Sequence, residues 1–223
     1  MSRYSITVDG KEIAKDAVLV SENKDYEQLV DYVENLPKVS QNEIAILKND
    51  AVIEILDEAG NVVTFEPGKE SYDFINGKNA IAEIPKEISA EIDVLTTAHN
   101  WSLFMSNDKK FAEIKGCMIK DSYQYKKALQ YATGIDITFT SPHTLRDPAF
   151  TENKVTNFTW IADNCFSVDV SFVKHMLLVN GKKVDDAMNH RIYFVKYDDS
   201  DDGNYNPTWK IASMKEIIED GNE

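Results

Sequence analysis

Residues 165–179 constrain the fold of this chain more than any other segment. Phe166, Val168, Val170 and Phe172 are apolar and Ser167, Asp169 and Ser171 between them are polar, the period-2 alternation of a strand with one buried face. Beyond Phe172 the pattern shifts: Lys174 falls on the even side, whereas Val173, Leu177 and Val179 make the odd side apolar. The expected cause is a bulge or bend near Val173, because one inserted residue turns every later side chain to the other face. On that reading His175 joins the core-facing side and Asp169 faces solvent. Residues 135–140, 155–161, 187–197 and 208–217 also have strand character, so the second half of the chain reads as a long antiparallel meander.

Helices precede these strands. From Pro85, Ile88, Ile92, Leu95, His99 and Leu103 recur every three or four residues, with proline at a first-turn position that tolerates it. This predicts the longest helix. A second helix is expected over 111–119, weakened by Gly116, and a third over 123–133, with Ser122 as its cap and Gly134 as its stop. Helices followed by a meander define an α+β fold in which the helices cover one face of a curved sheet.

Residues 1–85 read differently. Tyr4, Ile6 and Val8 alternate with polar residues before an Asp9-Gly10 turn, and 17–20 can return as a second strand. Residues 26–36 place Leu29, Val30, Tyr32, Val33 and Leu36 at helical spacing, stopping before Pro37. Residues 43–68 alternate around turns at Asn49-Asp50 and Gly60-Asn61, predicting a three-stranded meander, and 71–82 continue to an Asn76-Gly77 turn. The expectation is a small acidic β-rich domain over 1–85 and a larger α+β domain over 86–223.

The 223 residues carry a formal charge of -14, with 17 acidic against 8 basic side chains in residues 1–85. Such a balance argues against nucleic acid or anionic lipid, which bind through clustered Lys and Arg. The sequence contains no apolar run of membrane-spanning length and no basic-then-apolar leader pattern. Cys117 and Cys165 have no CxxC spacing; buried free thiols are the simpler expectation, with one disulfide left open.

The order long helix, two shorter helices and strands ending in NPTWKIASMKEI, over roughly residues 86–217, resembles the nuclear transport factor 2-like superfamily. That resemblance implies a cone of helices and bent sheet around a pocket, in members that include isomerases, dehydratases and modules with no catalysis. The isomerases' helical tyrosine has no counterpart on the first helix here, which offers His99 and Trp101. The stretches HNWSLFMSND, GIDITFTSPHTL and YFVKYDDSDDG resemble uncharacterised bacterial envelope proteins in which a membrane anchor precedes such a domain. This second resemblance implies an extracytoplasmic location.

Candidate sites are few. A carboxylate orienting an imidazole builds a general base, but strand parity separates Asp169 from His175. Met188, His190, Ile192 and Phe194 share one face, as do Trp209 and Ile211 with Ser213 following, giving His175, His190 and Ser213 on the inner side without a carboxylate partner. His99, His175 and His190 lack metal-ligand spacing, and His143 follows Pro142 in an expected loop. In YDDSDDGNYNP, Asp198, Ser200, Asp202, Gly203 and Asn204 partly match a calcium loop, but the twelfth position is Trp209 where a bidentate Glu is required. Asn157-Phe158-Thr159 matches a glycosylation acceptor, relevant only in a eukaryotic secretory setting.

An open cone would have a pocket lined by Trp101, Tyr125, His175, His190 and Trp209. The expected function is a non-catalytic binding module for an unknown small molecule or protein, without cofactor or metal, as a monomer or homodimer. The alternative is a small lyase, isomerase or hydrolase with His175 or His190 as base and Tyr125 as a hydrogen-bond donor.

Overall fold

The structure, a computed structural model, describes residues 4–12, 17–42, 52–57, 59–63, 84–134, 141–200 and 205–217. The expected strand over 135–140, the turn at 76–77 and residues 201–204 of the calcium-like loop lie outside the described residues.

In the N-terminal part, β1 (Tyr4–Val8) turns at Asp9 and Gly10, both at positive φ, into the short β2 (Lys11–Glu12). The other edge of β1 pairs antiparallel with β5 (Ile53–Asp57). The expected returning strand is present as β3 (Ala17–Glu22), but its partner is β4 (Lys38–Asn42) and not β1. Asp57 accepts from the backbone of Ala59 and Asn61, closing the Gly60 turn where it was expected. Of the meander predicted over 43–68, β5 and the Leu56–Val62 bridge lie within the described residues.

The helix expected to start at Pro85 is broken in two, α1 (Lys86–Glu91) and α2 (Val94–Met105). Ile92 is extended, and Asp93 accepts from the Thr96 N–H at 2.9 Å, an N-cap that starts a new helix where periodicity alone would continue the old one. Residues 111–119 form α3 (Phe111–Ile114) and a 3-10 turn (Lys115–Cys117). The last helix, α4 (Tyr123–Ala132), begins as expected on Ser122, whose Oγ accepts from the Tyr125 N–H, and ends before Gly134 at φ 74°.

Four strands follow, β6 (His143–Ala162), β7 (Cys165–Leu178), β8 (Lys183–Tyr197) and β9 (Thr208–Glu216), in a curved antiparallel sheet of that order. The fold is α+β, as expected. β6 shifts register against β7 at several points, with Glu152 and Asn157 at positive φ; such bulges bend a sheet and blunt its edge.

The predicted bulge near Val173 is absent. β7 pairs with β8 without a register shift from Cys165–Val195 to Leu177–Lys183, so the even side stays inward to Met176. Lys174 therefore enters the core at 1% exposure, while Leu177 and Val179 are exposed. Its ammonium donates to the Ser102 carbonyl in the last turn of α2 at 2.9 Å and pairs with Asp186, 3.3 Å away on β8. The residue that suggested a parity change is a buried cation joining helix to sheet, and a buried ammonium is tolerated when paired in this way.

Both faces of the sheet are covered. On the inner face Val94, Ala98, Trp101 and Phe104, one stripe of α2, pack with Phe166, Val168, Val170, Phe172, Ile192 and Phe194. On the outer face lies the segment 23–36, expected as an amphipathic helix and found as a 3-10 helix (Lys24–Leu29) followed by turns. Asn23 caps it by accepting from the Asp25 N–H. Leu29 and Val33 pack against Ile119, Ile161, Cys165, Tyr193, Val195 and Ala212. Gln28 accepts from the Ser213 hydroxyl, and the Asn164 amide donates to the Tyr32 carbonyl at 3.2 Å. This segment is a strap across the sheet. No described helix is long and apolar enough to cross a membrane.

Candidate functional site

Because β7 keeps its parity, His175 lies on the same side of the strand as Asp169, the outer side, and not with the core as expected. The two remain separate. Directly opposite His175 on β8 is Asp185, whose Oδ1 is 2.6 Å from Nδ1, and Thr151 Oγ1 on β6 is 2.7 Å from Nε2. Arg146 Nη2 lies 2.9 Å from Asp185 Oδ1 and 2.7 Å from His175 Nδ1. Nδ1 thus faces both an acceptor, the Asp185 carboxylate, and a donor, the Arg146 guanidinium, and the Thr151 hydroxyl can bond Nε2 in either tautomer. The Asp185 carboxyl is held below its usual range first by the hydrogen bond from His175.

This carboxylate–imidazole–hydroxyl chain has the order of a nucleophilic relay. Arg146 stands at Nδ1, across the ring from Thr151, so it cannot stabilise an oxyanion formed at the threonine. What the four side chains do in this position is tie β6, β7 and β8 together on the outer surface.

Asp169 was expected in solvent and is 7% exposed. Arg191 grips it twice, Nε to Oδ1 at 2.7 Å and Nη2 to Oδ2 at 2.9 Å, and the Asn157 amide donates to Oδ2 at 2.7 Å. Alternation placed Asp169 on the correct face, but Arg191 opposite it in register provides the cover. Fork-on-fork pairing raises the already high pKa of the guanidinium.

Of the other expected pocket residues, Trp101 and Trp209 are core side chains, Trp101 against Phe104 and Tyr131 and Trp209 against Trp160 and Phe166. Tyr125 is half-buried with its ring edge-on to Phe111. The inner side of the sheet is occupied by rings in contact. His190 is half-buried with its Nδ1 unpartnered, and burial pushes its imidazole down. His99 stacks on Phe150 with ring centroids 3.9 Å apart, shares a hydrogen bond with Asn153 and is likewise pushed down by burial. His143 opens β6, within reach of Asp108 and the Ser141 carbonyl. Cys117 and Cys165 are free thiols, and burial pushes the Cys165 thiol up to about 12.

A concave surface lies at the opposite end of the outer face from His175. It is a cleft of about 600 Å³ between the strap, the β6–β7 hairpin and the end of β8. Tyr32, Glu34 and Asn35 come from the strap, Asp163 and Asn164 from the hairpin, and Lys196, Tyr197, Asp198 and Tyr205 from β8 and the chain beyond it. Tyr32 and Tyr197 meet edge-to-face, centroids 5.4 Å apart at 84°, while Tyr205 is 84% exposed. Lys196 is engaged by Glu91 at 2.7 Å. Asp198 accepts from Ser200 and from the Asn206 N–H, which spends its oxygens on the loop that the calcium reading used. By contrast, Glu34, Asp163 and the three phenol oxygens make no hydrogen bond or ion pair with any described residue.

Sequence reasoning missed this cleft because its residues come from three distant segments and share no motif. Tyr32 was assigned to a helix face, and Tyr205 lay in the stretch weighed as a calcium loop. No family model matches the chain, and neither does any curated protein. Among solved structures, one described as an Ntf2 like protein involved in plasmid conjugation aligns over 92% of this chain and 68% of its own, at 11% identity and a TM-score of 0.36.

Proposed function

We propose that this chain is a non-catalytic binding module whose ligand sits in the cleft between the strap and the β6–β7 hairpin. One observation carries the reading: Tyr32, Tyr197, Tyr205, Glu34 and Asp163 line one concavity, and their side-chain oxygens make no hydrogen bond or ion pair with any described residue. Binding sites are concave and place a few uncommitted polar groups against apolar ring surface. Chemistry needs a base beside a reacting atom and a donor for the charge that develops. His175 is committed to Asp185 and Thr151, and His190 Nδ1 has no hydrogen-bond partner among the described residues.

Element order supports an NTF2-like assignment for residues 86–217: helices α1 to α4, then a four-stranded antiparallel sheet on which they pack. The resemblance of three sequence stretches to envelope proteins supports an extracytoplasmic position behind a membrane anchor. The test is a thermal-shift screen of small molecules and peptides on the full chain and on Tyr197→Ala. Ligands that stabilise the first and not the second are expected. Turnover in a panel of ester, lactone and dehydration substrates, abolished by His175→Ala or His190→Ala, would overturn the binding-only reading.

A further inference from the structure

We infer that the cleft accepts the cationic side chains of a basic peptide segment from a protein partner, an inference that rests on the binding role proposed above. The sign of the ligand follows from the lining. Glu34, Asp163 and Asp198 contribute three carboxylates, and the single ammonium, Lys196, is neutralised by Glu91 on α1. The hydrogen bonds from Ser200 and Asn206 hold the Asp198 carboxyl below its usual range, so it remains charged at neutral pH. Around the cleft the whole chain carries -14, a field that concentrates cations and repels anions at modest ionic strength.

The shape suits a guanidinium or ammonium group in particular. Tyr32 and Tyr197 cross nearly at right angles, and an edge-to-face pair leaves a ring face free. Tyr205 holds an almost fully exposed ring at the rim. Cations bind over such faces, and tyrosine beside carboxylates binds them by charge and by ring quadrupole together. A cleft of about 600 Å³ exceeds one side chain, which leaves room for a short stretch of peptide.

The experiment compares fluorescein-labelled hexa-arginine, hexaserine and hexaglutamate by anisotropy with the full chain at low and moderate salt. Hexa-arginine is expected to bind, more weakly as salt rises. The pair Glu34→Gln with Asp163→Asn is expected to weaken it about fivefold or more, and Tyr197→Ala about two- to fivefold. The control pair Glu12→Gln with Glu87→Gln removes the same charge from exposed positions elsewhere and should leave affinity nearly unchanged. Equal loss in both pairs, or no loss in either, overturns the inference by showing attraction to overall charge alone. Hexaserine or hexaglutamate binding that Tyr197→Ala abolishes overturns the cationic class and leaves the binding role intact. If cleft variants change no ligand seen in the screen above, both fail together.

Discussion

The buried Lys174 allows its role to be measured against a simple replacement. Its ammonium is 1% exposed, donates to the Ser102 carbonyl and pairs with Asp186, whose side chain is 52% exposed. Lys174→Met keeps the length of the side chain and removes the charge. The loss is one charge-assisted hydrogen bond to a helix carbonyl, about 1.5–3 kcal/mol, together with the ion pair to the half-exposed Asp186. The gain is relief from desolvating an ammonium, a penalty of several kcal/mol before pairing. Because Asp186 is half in water, it is not stranded, and the net change is expected within about 1 kcal/mol of zero. Asp186→Asn does the reverse: it leaves the ammonium buried on one neutral acceptor and should cost about 2–4 kcal/mol.

Urea unfolding of the three proteins at pH 7 gives these differences directly, and pH gives a second readout. Burial, the largest influence, pushes the Lys174 pKa down, partly opposed by Asp186. Below its folded pKa the lysine is charged in both states and the full burial cost is present. Between the folded pKa and the unfolded value near 10.4, the unfolded chain binds the extra proton, so wild-type stability gains with rising pH relative to Lys174→Met. A Lys174→Met cost above that of Asp186→Asn, together with an identical pH slope in the alkaline range, would refute the desolvation argument.

Three further outcomes are expected. Asp169→Asn removes the carboxylate that Arg191 grips twice; because the Arg191 side chain is 44% exposed and water takes up its charge, the cost in urea unfolding should be about 1–3 kcal/mol, and a loss below about 0.5 kcal/mol would mean the pair is solvated in practice. His99 and His190 are both pushed down by burial, so the unfolded state binds more protons as pH falls from 7.5 to 5 and stability should drop. The double variant His99→Gln, His190→Gln should show a shallower drop, and an unchanged slope would count against burial as the cause. Leu29→Ala should cost about 2–5 kcal/mol, since Leu29, on the strap, is fully buried against the sheet; a negligible change would mean the strap is not docked.

Element order and the inner face of the second half were legible in the sequence because they follow from local signals. Ser122 and Gly134 bound α4 as read, and Phe166, Val168, Val170 and Phe172 face the helices as alternation required. The break between α1 and α2 was missed for a local reason, the Asp93 cap, but the other failures share one cause, a partner contributed by another element. Lys174 was read as a surface residue, and its acceptors lie on α2 and β8. Asp169 was read as solvated, and Arg191 on β8 covers it. Residues 26–36 carry helical spacing, but the same apolar positions fit a 3-10 turn pressed flat on a sheet. The cleft was illegible for the same reason, since it exists only where strap, hairpin and strand end meet.

The strap has a consequence for how this chain can be divided. Pro85 reads as a boundary, yet the packing of Leu29 and Val33 runs across it to Cys165, Tyr193, Val195 and Ala212. A fragment beginning at residue 86 would keep every strand of the large sheet and still present those four residues to water as one apolar patch. Such a fragment is expected to self-associate through that face. The strap, residues 23–36, is therefore a solubility element of the sheet, and it furnishes one wall of the cleft as well.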